Sequence, residues 1–355
     1  MTSSRVLVLK QEGLRQFVEA EPAFAAIRAA HPGAHVDLIT TQAFGRLAKG
    51  SPYFDRVLAA GAFEDKSQRK QFFGQLKKMG YDTVYDLDGT RATLDIRSAL
   101  TGFRGPRWIG PKKVMSRPGR AQGFAGPAMR KLLADNGIAV QHRLPDLAFA
   151  TEGRKDAANM QPSWFGVSGP FALLVPAFQP ERRWPAAAWA HLAAEIAGAG
   201  VKPVVIGDPS LTPFAHEVGH LMAQRAQTTG QGAGAANALV DLTGKADLAQ
   251  IAMLSKRAGF FVANAADELH LTTAVGCPGL VLLHPSEAAQ ADALFGREVV
   301  KLTAEDMRAL DPQMAVTMLH SMGLLGDQAT LARGGEAGDQ GRNGARGALA
   351  RLGLR

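Results

Sequence analysis

Short apolar runs alternate with helical patterns along nearly the whole chain. In the first half the apolar runs are residues 5–10, 35–40 and 83–87. In the second half they are residues 171–175, 202–206, 238–242, 260–263, 279–283 and 299–302. Strands buried on both faces of a parallel sheet are apolar throughout, and helices connect them. The alternation therefore predicts an α/β protein with parallel sheets.

The length of the chain indicates two domains. At 355 residues it is longer than one hydrophobic core usually organises. Strand signals stop within residues 152–169, where proline, serine and glycine cluster. We therefore predict an N-terminal domain at 1–155 and a C-terminal domain at 165–325. Residues 326–355 are rich in glycine and poor in bulky apolar residues, which predicts a disordered tail.

Three helices have clear sequence signals. The first has one apolar stripe, formed by Phe17, Ala20, Phe24 and Ile27, and its pattern ends at a His-Pro-Gly sequence at 31–33. The second begins at Pro185, a residue that suits the first position of a helix. The third follows Asp247, whose carboxylate can cap its N-terminus.

Composition and charge limit the environment and the partners. A single cysteine, Cys277, excludes an intramolecular disulfide framework and fits a reducing cytoplasm. No apolar run is long enough to span a bilayer, and we recognise no export signal. The net charge of +8 is densest at 66–78 and 104–120. Aromatic residues are not interleaved with it as in a single-strand binder, so we predict an anionic substrate and no nucleic acid.

Glycine-rich sequences resemble phosphate-binding motifs only superficially. Residues 230–235 match G-x-G-x-x-A, but they follow a helical segment and precede a strand, whereas a dinucleotide fingerprint follows a strand and opens a helix. We interpret them as a surface loop. The pair Gly244 and Lys245 lacks the remainder of a Walker A motif. The basic segment 112–123 contains glycine and proline and is typical of a loop over a site.

The sequence His216-Glu217-Val-Gly-His220 matches H-E-x-x-H. On a helix this spacing places two imidazoles on one face beside a carboxylate, as in zinc peptidases. A third protein ligand is missing nearby, because no Gly-x-x-His extension follows. An exposed helix with unrelated histidines is the alternative interpretation.

Polar residues follow two strands of the second half. Arg182, Arg183, Trp184 and Pro185 come after the run at 171–175 and open the next helix. Cations beside free helix-terminal N–H groups favour phosphate. Residues 264–270 follow the run at 260–263 in the same way. Because ligands of open α/β sheets bind at the carboxyl ends of strands, both segments are candidate sites. Helix caps and solvated side chains are the structural alternative.

Together these stretches resemble glycosyltransferase family 9, which contains the ADP-heptose heptosyltransferases of lipopolysaccharide core assembly. The similar stretches are residues 5–39 with Pro22 and His31-Pro32, residues 81–110 with Asp86-Leu-Asp88-Gly89, residues 175–192 and residues 242–283. They cover residues 1 to about 325 in the order of the family. The resemblance implies a GT-B fold, in which two Rossmann-like domains face each other across a cleft. The N-terminal domain would bind the acceptor and the C-terminal domain the nucleotide sugar.

The resemblance also implies a reaction and its residues. The reaction is an inverting transfer without a metal or other cofactor, in which a base deprotonates the acceptor hydroxyl and nucleotide diphosphate leaves. The donor would be a nucleotide-diphosphate sugar resembling ADP-heptose, and the acceptor lipopolysaccharide core or another anionic glycolipid. The residues expected to bind the donor are Arg182, Arg183, Thr243, Lys245, Asn264, Asp267, Glu268 and His270. Those expected to bind the acceptor are Arg15, Gln16, Asp88 and Arg91.

Three positions depart from the family pattern. Where the family has Gly-Asp at the start of the first helix, with the Asp proposed as base, this chain has Arg15 and Gln16. An amide is not a useful proton acceptor. The usual Asp-Ser-Gly-Pro sequence is replaced by residues 265–268, and Leu211 occupies the position of an acidic residue expected to hold the ribose. Glu12 and Glu19, four residues before and three after Gln16, are candidate replacement bases.

Two hypotheses for the function follow. The first is a cytoplasmic glycosyltransferase with peripheral contact to the inner membrane. The second is a non-catalytic GT-B protein that binds or scaffolds, and the missing aspartate favours it. The zinc peptidase suggested by His216 and His220 is the third alternative.

Overall fold

The structure is a computed structural model that describes residues 4–60, 65–102, 105–111, 126–141, 144–229, 238–287 and 298–326. The chain divides into two compact units, Met1–Arg154 (unit 1) and Lys155–Arg355 (unit 2). Each unit is an α/β structure built on a parallel sheet, as the alternation of strands and helices predicted. Three predicted segments lie outside the described residues: the loop at 112–123, the glycine-rich run at 230–235 and the tail at 326–355. Only Gly326 of the tail is described.

In its described residues, unit 1 contains a parallel sheet of five strands in the order β3-β2-β1-β4-β5. The strands are β1 (Arg5–Leu9), β2 (His35–Thr41), β3 (Arg56–Ala60), β4 (Thr83–Asp86) and β5 (Arg107–Ile109). The three strands predicted from apolar runs are present, and each boundary moves by one residue at most. The edge strands β3 and β5 were not predicted, because each begins with arginine and β5 has only three residues.

The helices of unit 1 are α1 (Leu14–Glu19), α2 (Glu21–Ala30), α3 (Gln42–Ala48), α4 (Lys66–Met79), α5 (Arg91–Leu100) and α6 (Gly126–Ala134). The single first helix that we predicted is two helices, α1 and α2, which meet at Ala20. Pro22 has no N–H with which to continue the hydrogen-bond ladder. The predicted stripe is buried on both sides of this junction, and the Phe17 ring stacks on Phe44 with centroids 4.6 Å apart.

Unit 2 contains a parallel sheet of six strands in the order β11-β10-β9-β6-β7-β8 across its described residues. The strands are β6 (Phe171–Val175), β7 (Lys202–Val205), β8 (Val240–Asp241), β9 (Phe260–Ala263), β10 (Gly279–Leu283) and β11 (Val299–Thr303). All six predicted strands are present. The edge strand β8 is shorter than the predicted 238–242, and its two residues pair with β7 alone.

The helices of unit 2 are α7 (Ala186–Gly198), α8 (Thr212–Thr229), α9 (Leu248–Arg257), α10 (Glu268–Ala274) and α11 (Pro312–Ser321). α7 begins at Ala186, one residue later than predicted, because Pro185 is its N-cap. The Asp247 side chain caps α9 by accepting from the Gln250 N–H, as predicted. Trp184 and Trp189, which are almost completely buried, lie in the core of the unit. Their rings make an edge contact with centroids 5.6 Å apart.

Each sheet changes strand order beside its first strand. In unit 1, β1 lies between β2 and β4, and in unit 2, β6 lies between β7 and β9. In open α/β sheets, ligands bind at the carboxyl ends of the strands beside such a change of order. The loops after β1 and β4 meet at one such edge, and those after β6 and β9 meet at the other. We call them the unit 1 edge and the unit 2 edge.

Candidate active site at two sheet edges

A buried ion pair joins the two loops of the unit 1 edge. Lys10 follows β1, Asp88 lies two residues beyond β4, and their side chains are completely buried with Nζ and Oδ1 2.6 Å apart. Asp88 also accepts hydrogen bonds from the backbone N–H groups of Gln11 and Glu12. The predicted acceptor residue Asp88 therefore fixes the position of the loop that carries Glu12.

Asp86, the last residue of β4, is a second buried carboxylate of this edge. Its Oδ1 accepts from the N–H groups of Asp88 and Gly89, at 3.1 and 2.8 Å. Its Oδ2 has no aligned hydrogen-bond donor within the described residues, and the neighbouring Thr93 hydroxyl donates to the Thr90 carbonyl. Burial raises the pKa of Asp86 above its ordinary value, although the two backbone N–H groups act in the opposite direction.

The two candidate replacement bases differ in their surroundings. Glu19 is 4% exposed, and its carboxylate contacts the Arg15 Nε at 2.7 Å and the Gly126 N–H at 2.9 Å. Both of its oxygens therefore hold protein groups, which argues against Glu19 as a base. Glu12 is half-buried in the loop between β1 and α1. It lies outside the helix, because α1 begins only at Leu14.

Gln16 lies over the turn that starts α1. Gly13, the residue before this helix, has φ +55°, and a Cβ atom there would be 1.9 Å from the Gln16 Oε1. This turn therefore needs glycine for both its backbone conformation and its space. Arg91 is at the start of α5, where its side chain is 86% exposed and its Nε is 3.8 Å from Asp95. Arg91 is available to an anion from solvent.

At the unit 2 edge, the arginines after β6 are held in two ways. The Arg182 side chain is 56% exposed, and its Nη1 lies 3.0 Å from the Glu287 Oε1 in the segment after β10. The Arg183 guanidinium stacks over the Phe214 ring of α8, 4.3 Å from its centroid. Burial is the main cause that lowers the pKa of Arg183 from its ordinary value, and arginine stays charged at neutral pH.

Asn264 connects the loops after β6 and β9. It is completely buried, and its Oδ1 accepts from the Trp184 N–H at 3.0 Å. The Trp184 indole N–H donates to the Leu310 carbonyl, also at 3.0 Å. Asn264, which we predicted as a donor contact, is therefore placed to hold the turn that carries Arg182, not to meet a ligand from solvent.

Three acidic residues lie near the start of α10. Asp267 is exposed and Glu268 is half-buried, and burial raises the pKa of Glu268, with further contributions from the nearby charges of Asp267 and Asp208. Asp208 follows β7 and caps the short helix Pro209–Leu211 by accepting from the Ser210 N–H. His270, on the first turn of α10, is half-buried. The Leu211 side chain at the expected ribose position is buried, whereas Asp208 is exposed at the same edge.

Thr243 and Lys245 are organised by Asp241, the last residue of β8. The Thr243 hydroxyl contacts the Asp241 Oδ1 at 2.6 Å, and the Lys245 Nζ contacts the Oδ2 at 2.9 Å. Burial would raise the pKa of Asp241, but hydrogen bonds from Thr243 and Lys245 outweigh it and the pKa is lowered. Thr243 is 3% exposed, whereas the Lys245 side chain is 54% exposed and accessible to a ligand.

The H-E-x-x-H sequence lies on α8, as predicted, but its histidines have other neighbours. The His216 side chain is 71% exposed and lies 3.8 Å from Asp241, while the His220 Nε2 contacts the Gln224 Nε2 at 2.9 Å. Among the described residues, no group of three or more His, Cys, Asp or Glu side chains is arranged to hold a metal ion. The peptidase hypothesis therefore has no support in the structure.

Sequence reasoning missed several residues of these edges: Lys10, Asp86, Asp208, Asp241 and Phe178. All five lie at or within three residues of the end of a strand. Their position was the available signal, because polar residues directly after buried strands gather at one sheet edge. Phe178 is an aromatic side chain that is 56% exposed, four residues before Arg182.

Two such units, each a Rossmann-like parallel sheet with a polar edge at its change of strand order, have the architecture of the GT-B fold. The similarity to solved structures supports this class. The chain aligns with E. coli ADP-heptose lipopolysaccharide heptosyltransferase II over 94% of its length and 100% of that protein, with a TM-score of 0.71 and 18% identity. Residues 129–308 match the model of glycosyltransferase family 9 (heptosyltransferase), so the chain belongs to this family.

Two further structures agree. E. coli heptosyltransferase WaaC with ADP aligns over 89% of the chain and 99% of that protein, with a TM-score of 0.64 and 19% identity. A family 9 glycosyltransferase from Veillonella parvula aligns over 98% of both chains, with a TM-score of 0.67 and 17% identity. A search of curated proteins by sequence gave no match. No helix among the described residues has both the length and the apolar sequence needed to cross a membrane.

Proposed function

We propose that this protein transfers a heptose-like sugar from a nucleotide-diphosphate donor to a lipopolysaccharide core or related anionic glycolipid. The transfer is inverting and uses no metal ion, because cationic side chains of unit 2 take the charge of the leaving diphosphate. Unit 2 binds the donor and unit 1 binds the acceptor. Membership of family 9 and the complex of a similar structure with ADP support a nucleotide-sugar donor.

The observation that carries this proposal is the position of Arg182. The guanidinium is largely exposed at the carboxyl end of β6, beside the N-terminus of the thirteen-residue helix α7. Asn264 fixes the backbone of its turn through the Trp184 N–H, and Glu287 holds its side chain. A fixed cation next to a helix N-terminus favours a diphosphate over a neutral ligand. Lys245, which follows the edge strand β8, is a second exposed cation at the carboxyl ends of this sheet.

Glu12 is the base in this proposal. The other candidate, Glu19, holds protein groups with both of its oxygens, and the buried pair of Lys10 and Asp88 fixes the backbone that carries Glu12. The reaction requires this group to accept the proton of the acceptor hydroxyl as that oxygen attacks the anomeric carbon. Nucleotide diphosphate leaves from the opposite face of the sugar. Arg91 supplies an exposed cation for an anionic acceptor.

The donor site is tested by calorimetry with ADP. We expect Arg182→Ala to weaken binding by about 1.5–3 kcal/mol, the usual range for a charged hydrogen bond. Arg257→Ala removes an exposed arginine at the C-terminal end of α9, on the side of the sheet where β9 begins, and serves as the matched control, with unchanged affinity. Equal affinities of the wild type and Arg182→Ala for ADP would show that Arg182 does not bind the diphosphate, and the unit 2 edge would no longer be assigned as the donor site.

A non-catalytic nucleotide-sugar binder is the second candidate, and a specific observation favours it. Gln16 stands where the family carries its proposed base, and Glu19 is bound to Arg15 and Gly126. Release of ADP from ADP-heptose in the presence of a glycolipid acceptor separates the two candidates. We expect turnover by the wild type, and a loss of at least about 100-fold in kcat for Glu12→Gln. Binding of ADP without turnover would establish the non-catalytic candidate instead.

A further inference from the structure

A cavity in unit 1 lies apart from the candidate active site. It has a volume of about 440 Å³ and is lined by seven described residues, among them Glu21, Tyr53, Leu144, Asp146 and Phe149. They belong to the start of α2, the loop between α3 and β3, and the segment after α6, so none of them lies in the loops after β1 and β4. Sites for small organic molecules have volumes in this range. We call this space the Tyr53 cavity.

The walls of the Tyr53 cavity are largely apolar. The Tyr53 and Phe149 rings meet edge to face, with centroids 5.9 Å apart and 81° between their planes. The Leu144 side chain, which is 44% exposed, lies in the same wall. Two aromatic rings beside an exposed leucine favour a ligand that has an apolar part.

Buried contacts fix both sides of the cavity to α2. Glu21, in the first turn of this helix, is 2% exposed. Its Oε1 accepts from the Tyr53 hydroxyl, and its Oε2 accepts from the Asp146 N–H at 3.1 Å. Leu147, which follows Asp146, is buried in the core. The cavity is therefore formed before any ligand arrives, as is usual for sites that bind small molecules.

The cavity is acidic although unit 1 is basic. This unit contains 24 Lys and Arg against 14 Asp and Glu. Glu21 and Asp146 nevertheless line the cavity, and none of its described lining residues is basic. Arg28 contacts the Tyr53 carbonyl from outside the cavity, and Asp55 balances its charge at 2.7 Å. The local charge is thus opposite to that of the unit, which favours a cationic ligand over an anion.

Asp146 is the carboxylate that a ligand can reach. It is exposed, and its Oδ1 accepts from the Ala148 N–H at 2.9 Å, whereas its Oδ2 has no hydrogen-bond partner among the described residues. Burial, the hydrogen bond to Glu21 and the charges of Glu21 and Asp146 raise the pKa of Tyr53, so this hydroxyl stays protonated at neutral pH. A cation in the cavity would contact Asp146 directly and would be attracted by the more deeply buried Glu21.

We infer that the Tyr53 cavity binds a small organic ammonium ion that carries an apolar substituent. The Asp146 carboxylate binds the ammonium group through a charged hydrogen bond. The rings of Tyr53 and Phe149 attract the same cation and pack against its substituent. This ligand is neither the donor nor the acceptor of the proposed transfer, and the inference does not rest on that proposal.

The test is a titration of the full chain, followed by saturation-transfer difference NMR, with three probes: phenethylammonium, 2-phenylethanol and 3-phenylpropionate. All three carry a phenyl ring on a short chain, and they differ in charge. We expect saturable binding of phenethylammonium and no binding of 3-phenylpropionate. The neutral 2-phenylethanol should bind at least about tenfold more weakly than the cation, which corresponds to the lower end of the range for a charged hydrogen bond.

A conservative variant tests the role of Asp146. Asp146→Asn removes its charge and keeps an oxygen for the Ala148 N–H. We expect this variant to bind phenethylammonium about tenfold more weakly and 2-phenylethanol as the wild type does. The matched control is Asp135→Asn, which removes an exposed carboxylate that pairs with Lys131 outside the cavity and should leave the affinity for all three probes unchanged.

Four results would overturn the inference: no saturable binding of phenethylammonium, equal affinities for the cation and the neutral probe, unchanged affinity in Asp146→Asn, or an equal loss in Asp135→Asn. Circular dichroism verifies that both variants keep the fold. A wild type that binds phenethylammonium but not ADP would contradict the proposed function and leave this inference standing.

Discussion

Replacing Asp88 by alanine removes the partner of a buried ammonium group. The Lys10 Nζ is 2.6 Å from the Asp88 Oδ1 and 3.2 Å from the Leu87 carbonyl, and neither charged side chain is exposed to solvent. In the variant, Lys10 keeps a carbonyl contact but loses its counter-charge. Two backbone N–H groups, of Gln11 and Glu12, lose their acceptor as well.

The size of the effect follows from the burial. Removing one partner of a buried ion pair costs about 3–5 kcal/mol of the free energy of unfolding. For a unit the length of unit 1 this corresponds to a decrease of roughly 6–20 °C in its melting temperature. Replacing both partners, with Lys10→Met and Asp88→Ala, removes both buried charges together. We expect the double variant to be less destabilised than the sum of the single variants by about 1–3 kcal/mol.

Urea unfolding followed by circular dichroism measures this double-mutant cycle. The reasoning fails if Asp88→Ala loses less than about 1 kcal/mol, or if the two substitutions are additive. Under our proposal Glu12 also depends on this anchor. We therefore expect the double variant, although folded, to lose kcat while its affinity for ADP stays that of the wild type.

Two further predictions concern the remaining buried polar groups. Because burial raises the pKa of Asp86, its contribution to stability is full below the ordinary carboxyl pKa of about 4 and is lost as the pH rises through the folded-state pKa. The stability of Asp86→Asn relative to the wild type should therefore increase as the pH is raised from acidic to neutral. A difference in melting temperature between the two proteins that does not change with pH would contradict this. Asn264→Ala leaves the Trp184 N–H without its acceptor, so we expect a loss of about 1–3 kcal/mol in stability and weaker binding of ADP. The control is Ser255→Ala, which breaks a buried contact to Thr272 in the same unit and should lower stability without changing the affinity for ADP. If this control also loses affinity for ADP, Asn264 has no specific role in binding.

The central strands were predictable because their burial is complete. β6, β9 and β10 match the predicted residues without a shift, since each is an unbroken apolar run buried on both faces. The edge strands β3, β5 and β8 were missed or overextended. A strand paired on one side needs fewer apolar residues, so its sequence carries a weaker signal. The division between α1 and α2 depends on Pro22, which the apolar stripe does not reveal.

The candidate site was predictable in location more than in detail. Polar residues after strands indicated both edges, and Arg182 and Lys245 are exposed there. The buried roles of Asp88 and Asn264 were not predictable, because they depend on partners about eighty residues away. A side chain in a loop has the same sequence signal whether it faces solvent or closes a buried contact. The distinction between ligand contact and support requires the structure.

The fluorescence of the buried Trp184 can report the binding of a ligand at the unit 2 edge. Trp184 is two residues from Arg182, its backbone N–H is held by Asn264, and its ring touches that of Trp189. Indole emission depends on the local field, so a diphosphate arriving at the guanidinium should alter the fluorescence without any attached dye. The other two of the four tryptophans, Trp108 and Trp164, can be replaced by phenylalanine to isolate this signal. Ligand arrival then becomes observable in real time, whether or not any sugar is transferred.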